Sequence, residues 1–303
     1  MDLRQMRYLV AVAEELSFTR AARRCHVSQP PLSRAIRELE QEIGIRLFER
    51  DKHHVAVTPA GRSLLEDARR ALALLDESAE RARRTARGLR GTLSIGFGGS
   101  PVYSLLPALV RRFRQAVPDV EIRFRAMAVL RQIEALRNGE IDIGIVRLPV
   151  YDELIDTRFV YREPLVVALP SGHPLLGSSG AIAVAQLNGS RFVTYQPTRG
   201  FNFHADLHAL CRLADFEPVI AYEAASTEAV VGIVACGEGV AIVPASAERL
   251  RMRGVSFRPL DVSAVSAGLG WVEFALAWRN VDTPATATEF VQRATPEKFT
   301  PLS

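Results

Sequence analysis

What this chain lacks narrows its function more than what it abounds in. Only three cysteines occur in 303 residues, Cys25, Cys211 and Cys236, widely spaced and without a CxxC pair. A disulfide framework is therefore not indicated, and a reducing cytoplasm is the expected compartment. Lysine is nearly missing: of 38 basic residues only Lys52 and Lys298 are lysine, a usage that reflects genomic base composition more than function. No run of about 18 apolar residues occurs, so no membrane association is expected. The opening MDLRQMRYLVAVAEELS carries acidic groups and no small-residue cleavage site, unlike a signal peptide. Signatures of catalysis are missing as well. GFGGS at 96–100 is not G-x-G-x-x-G, and there is no Walker lysine, no G-x-S-x-G and no H-E-x-x-H. The six histidines are scattered, and His53 and His54, adjacent on a strand, point opposite ways and make a poor metal pair. The expectation is a binding protein, not an enzyme, with no metal and no cofactor.

What is present is ordinary in bulk and uneven in detail. With 48% hydrophobic and 24% charged residues, the chain reads as a globular protein of two or three domains. Residues 1–90 hold 18 basic and 13 acidic side chains, whereas the remainder holds 20 and 21. All of the net +4 charge thus comes from the first third, the electrostatic footprint of a nucleic-acid-binding module.

Helical periodicity divides that third. Leu3, Met6, Leu9, Val10 and Ala13 predict a first helix ending near Leu16. Ser17 caps a second, with Ala21, Ala22 and Cys25 inward, and His26-Val27-Ser28 makes a turn. Ser28 then opens a third helix whose inner face is Leu32, Ala35, Ile36, Leu39 and Ile43. Pro30 and Pro31 cost little there, because the first N–H groups of a helix have no internal partner. The prolines also deprive Ser28 of N–H groups to cap, which frees its hydroxyl for a phosphate oxygen. The outward face, Gln29, Ser33, Arg34, Arg37 and Gln41, suits base-edge and phosphate contacts in a major groove. Taken alone it would equally suit a solvated helix. The whole unit favours DNA: two helices, a tight turn, small residues at the crossing and local positive charge. Arg50 to Val57 reads as a two-stranded wing, with Arg50, Lys52 and the histidines along the sugar-phosphate backbone.

FTRAARRCHVSQPPLSRAIRELEQEIGIRLFERDKHHVAVTPAGR closely resembles the signature of LysR-type transcriptional regulators. SQPPLSRAIRELE, LFER and VTPAG match it in order and spacing. The resemblance implies an all-α winged helix-turn-helix over residues 1–58, with the helix-turn-helix at about 18–37, and a long linker or dimerisation helix over 59–89. It implies a two-lobed α/β effector domain, built like a type 2 periplasmic binding protein, over 90–303. Its expected partners are double-stranded promoter DNA, a small-molecule effector, RNA polymerase and a second copy of the chain, dimers assembling to tetramers.

The remaining sequence agrees with that layout. Thr58-Pro59 is a good helix start. From there Leu64, Leu65, Ala68, Leu72, Leu75, Ala79 and Ala82 form an apolar stripe. A helix of about 30 residues is about 45 Å long, too long to be covered by so small a module. Either it bridges through solvent or a second subunit covers it. Gly88-Leu89-Arg90-Gly91 is expected to end it as a hinge.

Beyond Thr92, strand and helix alternate: TLSIGFGG, SLLPALVRRFRQAVPD, VEIRFRAM, LRQIEALRNGE, IDIGIVRL. This implies parallel βαβ units with ligands at the carboxyl ends of the strands. PLVVALP at 164–170 is expected to begin a second lobe over about 163–268, containing a helix near 203–214, strands PVIAYEA and VAIVPAS and the helix STEAVVGIVACGEG. The strand EFALAWR and a last helix over 285–294 return to the first lobe, 90–162 and 269–303. Three loops should meet in the cleft: one with Ser100 opening a helix and Pro101 beside it, one running from Pro197 through Thr198 and Arg199 to Phe203, and one with Ser226 and Thr227. Helix starts and hydroxyls suit an anion, so an organic acid is the expected ligand, although each hydroxyl singly could be only a helix cap.

GSPVYSLLP and IVPAS are most similar to the branch of the family that senses aromatic-degradation intermediates such as muconates. That resemblance implies that Ser100 and the loop from Pro197 to Phe203 hold ligand carboxylates, with Arg147 near the site and Arg162 and Glu163 in an adjoining polar network. Ala128, followed by Val129, stands where such regulators usually offer a hydroxyl, a loss of one ligand hydrogen bond worth roughly 0.5–3 kcal/mol. A redox switch through Cys211 and Cys236 is the alternative. Cys236 lies on a helix expected to be buried, and neither cysteine has a basic cluster beside it in sequence.

Overall fold

The computed structural model describes residues 1–50, 54–197, 203–264 and 269–294. The chain forms two compact units, Met1–Arg84 and Thr85–Ser303.

In the first unit, helices α1 (Leu3–Glu15), α2 (Phe18–Arg24) and α3 (Gln29–Ile43) precede the strands β1 (Phe48–Arg50) and β2 (Val55–Val57) and the helix α4 (Pro59–Ala86). Local chemistry sets each boundary. Asp2 and Gln5 form a reciprocal capping box at the start of α1. Ser17 accepts the Arg20 N–H at the start of α2. Thr58 Oγ1 accepts the Gly61 N–H at 2.9 Å, one residue before the Pro59 that opens α4. Leu9, Val12, Ala21, Leu32, Ile36, Leu39, Leu47 and Phe48 close the core.

Ile43, expected inward, is 37% exposed, because left-handed Gly44 ends α3 at that point and turns the chain away. Along α4 only Gly61 and Ala68 are buried. Leu64 and Leu72 touch the core, whereas Leu74 and Leu75 are 58% and 40% exposed.

In the second unit, β3 (Gly91–Phe97), α5 (Leu105–Ala116), β4 (Val120–Ala126), α6 (Val129–Arg137) and β5 (Ile143–Arg147) are the predicted βαβ pair. β3 lies parallel to β4 and to β5. Next comes β6 (Ile155–Pro170), a single strand of 16 residues. The new strand expected at Pro164 is therefore only its second half. Its residues up to Pro164 pair with β12 (Trp271–Arg279), and those from Leu165 pair with β10 (Ala241–Pro244) and β11 (Val255–Asp261). A proline is tolerated where a strand changes partners.

The second lobe adds β7 (Ile182–Ala183), β8 (Arg191–Tyr195), α7 (Phe203–Leu213), β9 (Val219–Ala224) and α8 (Thr227–Ala235). α9 (Ala285–Arg293) closes the first lobe, its Phe290 packed edge-on to Phe113 of α5. The segment 88–91, expected as a hinge, follows the end of α4 at Ala86. A Cβ on Gly88, at φ 69°, would lie 2.1 Å from the Ala285 carbonyl oxygen, and Gly91 already belongs to β3. No helix among the described residues is long and apolar enough to cross a membrane.

Candidate DNA interface and candidate ligand cleft

The first candidate surface is the outer face of α3. Ser28, Gln29, Pro30, Arg34 and Arg37 are exposed there, and Ser33 is half-buried. Ser28 occupies the N-cap with extended backbone and no side-chain capping bond, as Pro30 and Pro31 dictate. The Arg34 side chain is 79% exposed and paired with Glu38 at 2.8 Å, a contact of little stabilising value in water. An open hollow of about 560 Å³ beside it is lined by Arg37, Glu40, Gln41, Arg46 and Arg50.

Arg50 is more engaged than the sequence suggests. Its guanidinium bonds Glu40 at 2.9 Å and lies 4.4 Å above the Phe18 ring. Burial lowers its pKa, against the pull of Glu40. Glu40 also accepts the Leu47 and Phe48 N–H groups, so one carboxylate ties the wing to α3. Arg50 thus positions the wing before it can meet any phosphate. Glu40 escaped the sequence reading, since its role depends on a chain reversal several residues later. Lys52 and His53 lie outside the described residues.

The second candidate surface lies at the carboxyl ends of β3, β4 and β5, which the parallel pairing brings to one edge. Gly98 follows β3, and a Cβ there would lie 2.4 Å from the Met127 carbonyl oxygen after β4. Ala128 is the N-cap of α6 and offers no side-chain cap; it is exposed, and Val129 is half-buried.

Arg147 ends β5 and reaches the second lobe, where its Nη2 bonds the carboxylate of Asp206 on α7. Its guanidinium lies 4.5 Å over the Phe203 ring, which in turn packs 4.7 Å from Tyr195. Tyr195 shares a 3.1 Å hydrogen bond with Thr227. Burial pushes the Tyr195 phenol far above its usual range, so it stays protonated. The Arg147 side chain is only 11% exposed, and its Nη1 is enclosed with no partner.

Several predicted ligand groups have hydrogen-bond partners within the chain. Ser100 opens a short 3-10 turn, not α5, and its buried hydroxyl donates to Glu163 Oε1 at 3.3 Å. Pro101 is buried beside it. Ser226 caps α8 by accepting the Ala229 N–H, and Thr227 is used by Tyr195. Each of these hydroxyls has a partner within the chain.

Glu163 sits where β6 changes partners and is 1% exposed. It accepts the Ser246 N–H at 2.7 Å and the Ser246 hydroxyl at 3.1 Å. Burial raises its pKa, partly offset by these bonds. Arg162, expected in this network, points away; it stacks 4.3 Å from Trp271. A further bond across the lobes joins the Tyr103 phenol to Glu228. Pro197 is exposed, and Thr198 and Arg199 lie outside the described residues. Asp206, Tyr195, Glu228 and Ser246 were not singled out from sequence, although an acid in the first turn of α7 and of α8 was readable there.

The two cysteines of the alternative reading differ in accessibility. Burial pushes the Cys211 thiol up to about 12, leaving almost no thiolate at neutral pH. Cys236, expected to be buried, is exposed at the end of α8.

A winged helix-turn-helix joined to a two-lobed binding unit defines a ligand-responsive transcriptional regulator. Known proteins agree. Residues 3–62 match the family described as bacterial regulatory helix-turn-helix protein, lysR family, and residues 86–297 match the LysR substrate binding domain. The chain is 39% identical over 279 residues to the HTH-type transcriptional regulator AlsR of Bacillus subtilis, spanning 92% of this chain and 90% of that protein. It is 37% identical over 294 residues to the Hca operon transcriptional activator HcaR of Escherichia coli, spanning 96% of each. Among solved structures, the LysR family regulator CbnR superposes with a TM-score of 0.84 at 31% identity, over 97% of this chain and all of that one. Full-length CbnR in complex with its target DNA superposes at 0.79 and 30% identity, over 97% and 98%. The chain belongs to the LysR family of DNA-binding transcriptional regulators and carries that family's effector-binding domain. These relatives are named as regulators of transcription, not as enzymes.

Proposed function

We propose that this regulator grips promoter DNA through paired α3 helices and that a small organic acid, bound between the lobes of the second unit, switches it. The observation that carries the acid is Arg147: a cation drawn across the cleft, nine-tenths enclosed, whose Nη1 has no hydrogen-bond partner. Buried guanidinium N–H groups are ordinarily paired, and a carboxylate oxygen is the natural partner.

The exposed apolar stripe of α4, with Leu74 and Leu75 uncovered, supports a homodimer that sets two recognition helices on two half-sites. Assembly to a tetramer and contact with RNA polymerase complete the reading. A ligand that binds one arrangement of the lobes more tightly shifts the population toward it, and with it the spacing imposed on DNA.

The test is thermal stabilisation of the full chain against organic acids, amino acids, amines and sugars, followed by tryptophan fluorescence. Both tryptophans, Trp271 and Trp278, lie on β12 of the second unit. Dose-dependent stabilisation by acids alone supports the reading, and stabilisation only by a non-acid refutes it. Promoter binding should weaken steeply as salt rises, because phosphate contacts release counterions; affinity indifferent to salt would refute the DNA half.

A further inference from the structure

The cleft is richer in acid than an anion site requires. α7 carries Asp206 and α8 carries Glu228 in their first turns, so the positive ends of both helices already face carboxylates of the chain itself. Asp206 holds Arg147 Nη2, Glu228 takes the Tyr103 phenol, and Glu163 is buried against Ser100. Arg249 lies near Glu163 and offsets that charge. Ala128 adds no hydroxyl at the start of α6. Among the described residues two buried guanidinium nitrogens lack a partner, Arg112 Nη1 on α5 beside α9 and Arg147 Nη1, and of the two it is Arg147 that spans the lobes.

We infer that the cleft is built for an acid bearing a single carboxylate and that Asp206 is the specificity-determining residue that rejects a second. The inference rests on the organic-acid reading above and sharpens it. One ligand oxygen accepts Arg147 Nη1, while Asp206 keeps Nη2. Two carboxylates then share one guanidinium, each satisfied by its own N–H face. Arg147, Asp206 and a bound monoacid together carry one net negative charge, and Glu228 adds a further one nearby. A diacid would bring a second charge beside Asp206 and Glu228, which already repel it. Phe203, under the guanidinium and backed by Tyr195, offers aromatic carbon to the remainder of the ligand.

Three pairs of acids that differ in one terminal group isolate the charge: sorbate with trans,trans-muconate, benzoate with terephthalate, and butyrate with succinate. Calorimetric titration of the full-length wild-type chain should show a monoacid binding at least about tenfold more tightly than its diacid partner. In Asp206→Asn the diacid should gain and the gap should narrow by about tenfold, while Arg147→Gln should lose both acids. A diacid that binds wild-type protein as tightly as its monoacid partner overturns the inference and leaves the organic-acid reading standing. A gap unchanged in Asp206→Asn overturns the role given to Asp206. Failure of every acid overturns both. The wild-type comparison needs no variant to fold, and circular dichroism of each variant guards the rest.

Discussion

Glu163 joins the lobes through a carboxylate that is almost fully buried, and replacing it separates the worth of its charge from that of its hydrogen bonds. In Glu163→Ala the Ser246 N–H loses its acceptor, at 2.7 Å, and two serine hydroxyls lose theirs. The Ser246 hydroxyl has a fallback in the Ser100 carbonyl at 3.5 Å, so the N–H is the group left stranded. A stranded buried donor costs about 1–3 kcal/mol and lost packing adds to it, for a total of about 3 kcal/mol. In a unit of this size that lowers Tm by about 6–12 °C. Glu163→Gln keeps an acceptor for the Ser246 N–H, and its amide donates to hydroxyls free to rotate, so it should stay within about 1 kcal/mol of wild type at neutral pH.

The same pair of variants carries a pH signature. Burial raises the folded-state pKa of Glu163 above its usual 4.5. Its contribution is therefore full below that value and is lost as pH rises through the folded-state pKa. Wild type should accordingly lose ground to Glu163→Gln on going from acid to neutral pH. Urea unfolding followed by tryptophan emission measures this in the second unit alone. If Glu163→Gln proves as damaging as Glu163→Ala, or if wild type gains on it as pH rises, the charge and not the hydrogen-bond geometry holds the lobes, and the reasoning fails.

Other perturbations test other parts of the molecule. Ser28→Ala should leave the melting temperature unchanged, since its hydroxyl makes no capping bond, yet weaken promoter binding about three- to tenfold in fluorescence anisotropy; unaltered affinity removes the phosphate contact. Leu75→Asp places a charge on the uncovered stripe of α4, where Leu75 is 40% exposed. Sedimentation equilibrium should then report a smaller assembly with helicity intact, and an unchanged mass would mean that the stripe is not the seam. With a thiol reagent at neutral pH, Cys236 should react quickly and Cys211, buried with a pKa of about 12, only on unfolding. Rapid native labelling of Cys211 would reopen the thiol switch.

Local patterns carried most of the architecture. The spacing of Leu32, Ile36 and Leu39, the turn at 26–28 and the Thr58-Pro59 start encode the first unit, because caps and amphipathic periods are decided within a few residues. The alternation of strand and helix after residue 90 likewise announced parallel βαβ units. β11 escaped notice because Pro259 interrupts it, and the first half of β6 because its exposed residues do not alternate. Ser100, Ser226 and Thr227 carried the right chemistry for an anion site, but whether a hydroxyl is free depends on what folds against it. Glu163, Tyr195 and the Ala229 N–H, each distant in sequence or fixed by helix geometry, consumed them. The pairing of Arg147 with Asp206 spans 59 residues, and no local pattern encodes an ion pair between two lobes. The sequence alone determined that this is a DNA-binding regulator with a two-lobed sensor. Which side chains remain open to a ligand was decided only by tertiary packing, since hydrogen-bond capacity is finite and the fold uses most of it.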